Sequence, residues 1–175
     1  ALISGLVAET VKHGKPTALG AASGLVAGLV VITPCAGFVS PVGALAIGLI
    51  GGVVCFGGVL LKSKLHYDDA LDAFGVHGVG GIVGGLLLGV FASKAWNSAG
   101  ADGLLHGDGA LLWANTKGTI AGCLYAAVVT FVLLKVLDLT MGLRVDEEVE
   151  FEGLDVHLHG EKAYSDAGAT HLEEA

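Results

Sequence analysis

The chain has 175 residues, of which 53% are apolar and only 15% charged, with a formal net charge of −8 and a mean hydropathy of +0.74. That is too little charge to cover the surface of a soluble domain, and the 29 glycines follow no Gly-X-Y period, which excludes collagen. No basic patch is present, so no nucleic-acid partner is expected.

The charge is segregated. Residues 1–141 carry seven acids and seven bases, whereas ten acids and two bases follow from Gly142 onward. The chain therefore reads as a neutral apolar body, 1–141, followed by an acidic tail, 142–175.

A spanning helix needs about 20 mostly apolar residues. In chain order, spans are expected at about 1–12 (partial), 17–33, 41–62, 69–93 and 110–138. The fold class is thus an all-α integral membrane protein, a helical bundle of about five transmembrane helices. The opening Ala1-Leu2-Ile3 has no methionine and no basic flank, so it is not read as a signal peptide. It reads as the middle of a helix, and the chain as a fragment or processed piece. Prolines and glycines punctuate the spans at His13-Gly14-Lys15-Pro16 and from Pro34 to Pro41. Residues 62–69 and a Gly/Asp/Ala-rich loop over 93–109 separate the others.

If the spans alternate, Lys12, Lys15, Lys62, Lys64 and Arg144 fall on one side, and only Lys94 lies in the opposite loops. The positive-inside rule places the five-base side, and the tail with it, in the cytoplasm. Trp96 and Trp113 then sit near the outer interface, and Lys135 and Asp138 snorkel at the inner one. Gly20, Gly24 and Gly28 form a double GxxxG; Gly81, Gly85 and Gly89 form another, overlapped by Gly80 and Gly84. Such spacing lets helix backbones approach closely in lipid. Cys35, Cys55 and Cys123 are far apart without a CxxC, so they read as small buried apolar residues rather than a disulfide or zinc framework.

The segment carrying chemistry begins at Asp69. This acid suits a helix cap, and Asp72 stands three residues on, at capping-box spacing. Both carboxylates also suit the positive end of a helix dipole. His77 lies eight residues past Asp69, roughly 12 Å along a helix at 1.5 Å per residue and well inside the hydrocarbon. A polar group there must face protein or a water-filled path, and is a functional candidate by default. Glycines at 75, 78, 80 and 81 leave space around its ring. A neutral imidazole relays a proton without placing fixed charge in the bilayer. No second ligand shares this helix, so no metal, haem or other cofactor is expected. No carboxylate or nucleophile stands at 70, 73, 74, 80, 81 or 84, so an intramembrane enzyme is not the reading.

The stretch Asp72-Ala73-Phe74-Gly75-Val76-His77-Gly78-Val79-Gly80-Gly81 resembles the histidine-bearing tenth helix of the ammonium transporter family (Amt/Mep, related to Rh proteins). Gly20-Ala21-Ala22-Ser23-Gly24 and Ala27-Gly28-Leu29-Val30-Val31-Ile32-Thr33-Pro34 resemble its eighth helix. Asp138-Leu139-Thr140-Met141-Gly142-Leu143-Arg144-Val145 resembles the end of the eleventh. Glu152-Gly153-Leu154-Asp155, then His159-Gly160-Glu161-Lys162-Ala163-Tyr164, resemble the family's cytoplasmic tail and favour the Amt branch.

The resemblance implies the second half of an eleven-helix fold built from two inverted five-helix halves, assembled as a homotrimer with one pore per subunit. His77 matches the second of two pore histidines, which help to deprotonate ammonium or to conduct ammonia and a proton separately, with methylammonium as an analogue. Gly153, Leu154, Asp155, His159, Gly160, Glu161 and Tyr164 match a regulatory tail that docks on neighbouring subunits in the plasma membrane. A PII-type protein is the implied partner at the cytoplasmic face.

With the resemblance, the tail is expected to be ordered to about Tyr164 and disordered from Ser165 to Ala175. His157, His159 and His171 read as solvent or tail contacts rather than metal ligands, and Thr33 and Phe38 as packing residues. The chain is about half the expected length and lacks the segments that carry the first histidine, the outer cation–π site and the phenylalanine gate. Alternative readings are therefore a truncated, non-transporting membrane fragment, and an ammonium sensor signalling through its tail.

Overall fold

Short-range chemistry sets where each helix starts and stops. Gly14, at φ 82°, ends α1 (Leu2–His13) in the left-handed conformation that a side chain disfavours. The Thr17 hydroxyl then accepts the Gly20 N–H and caps α2 (Ala18–Ile32), which runs on into a 3-10 turn, Thr33–Cys35. Ser40 caps α3 (Pro41–Leu65) by accepting the Gly43 N–H, with a proline at the first helical position. A one-turn π-helix, Phe74–Gly78, leads into α4 (Val79–Phe91). After a 3-10 turn, Leu104–His106, come the long α5 (Ala110–Met141) and the short α6 (Glu147–Glu152). This computed structural model describes residues 1–163, and among them there is no strand. The expectations for Tyr164, for His171 and for 165–175 lie outside the described residues.

The chain divides into two units, Ala1–Leu124 and Tyr125–Ala175. Four segments are long and apolar enough to cross a membrane: Ala18–Cys35, Pro41–Leu65, Phe74–Phe91 and Ala110–Met141. At most 28% of the most apolar window in each is buried, and none of it in α5. A soluble bundle would hide such faces, so these need lipid or further helices to cover them. This is a multi-pass integral membrane protein.

The first unit is held by Ala27, Val31, Cys35, Ile47, Cys55 and Val76, packed between α2, α3 and the π turn. Glycines bring the backbones into contact. A Cβ on Gly24 would lie 3.2 Å from the Leu2 Cα, and one on Gly51 would lie 2.8 Å from a Val31 methyl. Gly84 packs against the Val31 carbonyl and the Pro34 ring, and Gly89 against the Leu112 backbone. The loops sort to two ends. Ser93 donates its N–H to the Phe38 carbonyl at 2.9 Å, joining the connections that follow α2 and α4. His13, at the end of α1, meets Phe56 in the C-terminal half of α3 edge-on at 6.0 Å.

Three expectations change. The fourth span is helical only from Ala73, not from 69, because Asp72 takes a left-handed conformation at φ 55°. Cys123 is exposed, unlike the buried Cys35 and Cys55, because no described helix packs on α5 at that level. Thr33, expected to pack, is exposed, and its hydroxyl turns back onto the Leu29 carbonyl at 2.6 Å. Phe38 is half-buried beside Gly100.

Candidate functional site

The π turn that carries His77 is built from its N-terminal side. The Asp69 carboxylate accepts the N–H groups of Ala73 at 2.8 Å, Phe74 at 3.0 Å and Gly75 at 3.4 Å. One side chain thus satisfies three donors that a helix start leaves free. The capping-box reading does not describe Asp72. Its carboxylate turns away and forms an ion pair with Lys62 of α3, whose ammonium also donates to the Asp69 carbonyl at 2.9 Å.

Because the helix starts late, His77 lies only about four residues, roughly 6 Å, into it rather than 12 Å. Its setting is fixed by its neighbours. Gly75 packs directly on the backbone of Gly58 and Val59, and the Cys55 thiol donates to the Val76 carbonyl at 3.7 Å. Gly58 lies seven residues, roughly 10 Å, before the end of α3. The π turn therefore packs on α3 inside its last two turns.

Gly75 and Val76 are buried, whereas His77 is exposed. Its ring makes no hydrogen bond to the described residues. Four positions on, one helical turn along, a Cβ on Gly81 would meet no atom within 4 Å. A π turn offsets the residues on either side of it by about one position, so Val76 faces the core while the imidazole takes the open, glycine-flanked face. Such a ring can accept or donate a proton, or hydrogen-bond a small polar species, at a depth where water is scarce. No group of three or more His, Cys, Asp and Glu able to hold a metal ion occurs among the described residues.

Two contributors were missed in the sequence. In the sequence Lys62 reads as a topology signal, although a lysine in the last turn of an apolar span is also placed to meet the acids of the next loop. Glu9 stands in an apolar helix and is buried. The Thr17 hydroxyl donates to its carboxylate at 2.7 Å and the Thr17 N–H at 3.1 Å, tying α1 to the cap of α2. Its position eight residues before the capping Thr17 was the available signal.

In the second unit, the predicted tail residues Gly153, Leu154, Asp155, His159, Gly160 and Glu161 come together in one turn centred on Asp155. Gly153 and Gly160 take positive φ, 110° and 68°, on either side of a π turn, Asp155–His159. The Asp155 carboxylate accepts the Ala163 N–H at 2.8 Å and the Val156 N–H at 3.0 Å, which hold its carboxyl below the usual range. Arg144 grips Glu150 with two bonds of 2.7 and 2.8 Å and lowers that carboxyl likewise. His157 contacts Glu152 at 2.5 Å. On α5, Lys135 reaches Asp138 at 3.5 Å.

Comparison with known proteins gives one consistent match. Residues 1–164 match the Ammonium Transporter Family. The chain is 53% identical over 163 residues to an ammonium transporter of Bacillus subtilis, covering 93% of this chain and 40% of that protein. It is 51% identical over 166 residues to one of Aquifex aeolicus, covering 94% and 38%. The crystal structure of Saccharomyces cerevisiae Mep2 superposes with a TM-score of 0.79 at 33% identity, over 84% of this chain and 34% of that one. A structure described as a sensor Amt protein gives 0.78 at 30% identity, over 90% and 38%. The chain thus spans about 40% of the length of the curated relatives it matches.

Proposed function

Because the chain belongs to the Ammonium Transporter Family, we propose that it supplies the C-terminal part of an ammonium transporter and that His77 lines the substrate path. One observation carries this reading: an imidazole in an apolar candidate span, on an open, glycine-flanked face, without a partner among the described residues. Ammonium is a strongly hydrated ion, and taking it bare through an apolar passage is very costly. Giving its proton to an imidazole leaves the charge on a fixed ring and lets neutral ammonia pass, and the imidazolium must then release that proton along the path before it can act again. Potassium has no proton to give, so the same step confers selectivity.

The open face then meets the part of the transporter that this chain does not cover. The lysine asymmetry and the family resemblance support a plasma-membrane protein with a cytoplasmic tail, assembled as a homotrimer. A PII-type protein binding at that tail belongs to the same reading. The likeness to a sensor Amt protein favours, as a second reading, a chain that signals ammonium through its tail.

The test joins this chain to the portion of the Bacillus subtilis relative that it does not match and expresses the product in cells lacking ammonium transport. Saturable methylammonium uptake, competed by ammonium and not by potassium, is the expected result. A folded, membrane-inserted product that moves none contradicts the transport reading and favours the sensor.

A further inference from the structure

We infer that Lys62 is the positioning residue that sets where the His77 ring stands, acting through the turn from Asp69 to Asp72. This rests on the assignment of His77 to the substrate path. The lysine belongs to α3, and the turn it grips precedes α4. Its ammonium donates to the Asp69 carbonyl at 2.9 Å and pairs with the Asp72 carboxylate, so one group fixes both ends of a four-residue turn. The turn is closed on itself, since the Asp72 N–H donates to the Asp69 carbonyl at 3.2 Å.

From that turn the π-helix is suspended on both sides. The Asp69 carboxylate takes the N–H groups of 73, 74 and 75. The Asp72 carbonyl takes the N–H of Val76, the residue before His77, at 2.9 Å. Asp72 holds a left-handed backbone at φ 55°, a region that aspartate and asparagine tolerate better than most side chains. The ion pair with Lys62 adds a tertiary contact that fixes the side chain of this residue. Releasing it frees Asp72, loosens the carbonyl that anchors Val76, and lets the wide turn relax toward a regular helix. Because the π turn decides which face carries the imidazole, that relaxation moves the ring and not merely the loop.

The alternative is that Lys62 serves only topology or stability. The two differ in what they do to each folded molecule. In the joined protein, Lys62→Met, which keeps the aliphatic stem, and Asp72→Asn, which tolerates a left-handed backbone, should each lower the maximal methylammonium uptake rate about tenfold per folded molecule. The half-saturating concentration should stay within about twofold, because positioning is lost and capture is not. The double variant should be no worse than either single one. Lys62→Arg should keep at least about half the rate, since the guanidinium reaches the same carboxylate.

Uptake that falls only in proportion to folded protein, a wild-type rate in Lys62→Met and Asp72→Asn, or losses that simply add in the double variant would overturn the inference. His77→Ala separates the two claims. If it impairs uptake while the Lys62 and Asp72 variants do not, only the positioning role fails. If His77→Ala changes nothing, the substrate-path assignment fails and takes this inference with it.

Discussion

Replacing His77 with alanine in the joined protein should lower methylammonium uptake by about 100-fold per folded molecule, the loss typical of removing a proton-transferring side chain. The amount of folded protein in the membrane should not change. The ring is exposed and has no hydrogen-bond partner among the described residues, so nothing in the first unit depends on it. This separation of folding from activity makes the variant informative. A substrate that cannot give up its proton must cross as a hydrated or bare cation, and both routes are obstructed in a narrow apolar passage. Any residual flux should therefore show weaker discrimination against potassium. Uptake and selectivity equal to the unaltered protein would remove His77 from the substrate path.

Gly75→Ala should do the opposite, damaging the fold first. A Cβ there would lie 2.8 Å from the Val59 nitrogen, 2.9 Å from its Cα and 3.0 Å from the Gly58 carbonyl carbon. All three are backbone atoms of α3, so no side-chain rotation relieves the clash. The cost should be about 1–3 kcal/mol or more, the range for overpacking a close contact. It should appear as a lower melting temperature in detergent and less folded protein in the membrane. Gly81→Ala is the control, because its Cβ would meet no atom within 4 Å. Equal melting temperatures for the Gly75 and Gly81 variants would contradict the direct backbone contact between α3 and the π turn.

Much of this architecture was readable from local chemistry. The Gly14-Lys15-Pro16 break, the Ser40-Pro41 start and the uncharged run between them and Lys62 each act through steric or capping rules within a few residues. The start of the fourth helix is hidden in the sequence for a physical reason. Asp69 and Asp72 have the spacing of a capping box, but a lysine 10 positions before Asp72 competes for its carboxylate, and that competition is settled only in three dimensions. The π turn left no trace in the pattern, because Phe74-Gly75-Val76-His77-Gly78 offers too few large side chains to reveal a one-residue offset. The exposure of Cys123 is hidden for a related reason. An all-round apolar helix such as α5 gives no sign of which face another helix covers. His77 stands out in the sequence by its chemistry alone, an ionisable group in an apolar span, while the late helix start places it nearer the start of α4 than the spacing from Asp69 implies.

The claim that organises all of this is that the face shared by His77 and Gly81 borders the substrate path. It is tested most directly by Gly81→Cys in the joined protein, with the exposed Cys123 changed to serine and the buried Cys35 and Cys55 retained. Normal folding is expected, since the site is open, together with near-complete block of methylammonium uptake by a small thiol reagent and slower modification in the presence of ammonium. A cysteine that is fully modified while uptake continues unchanged would place this face outside the path and contradict the account.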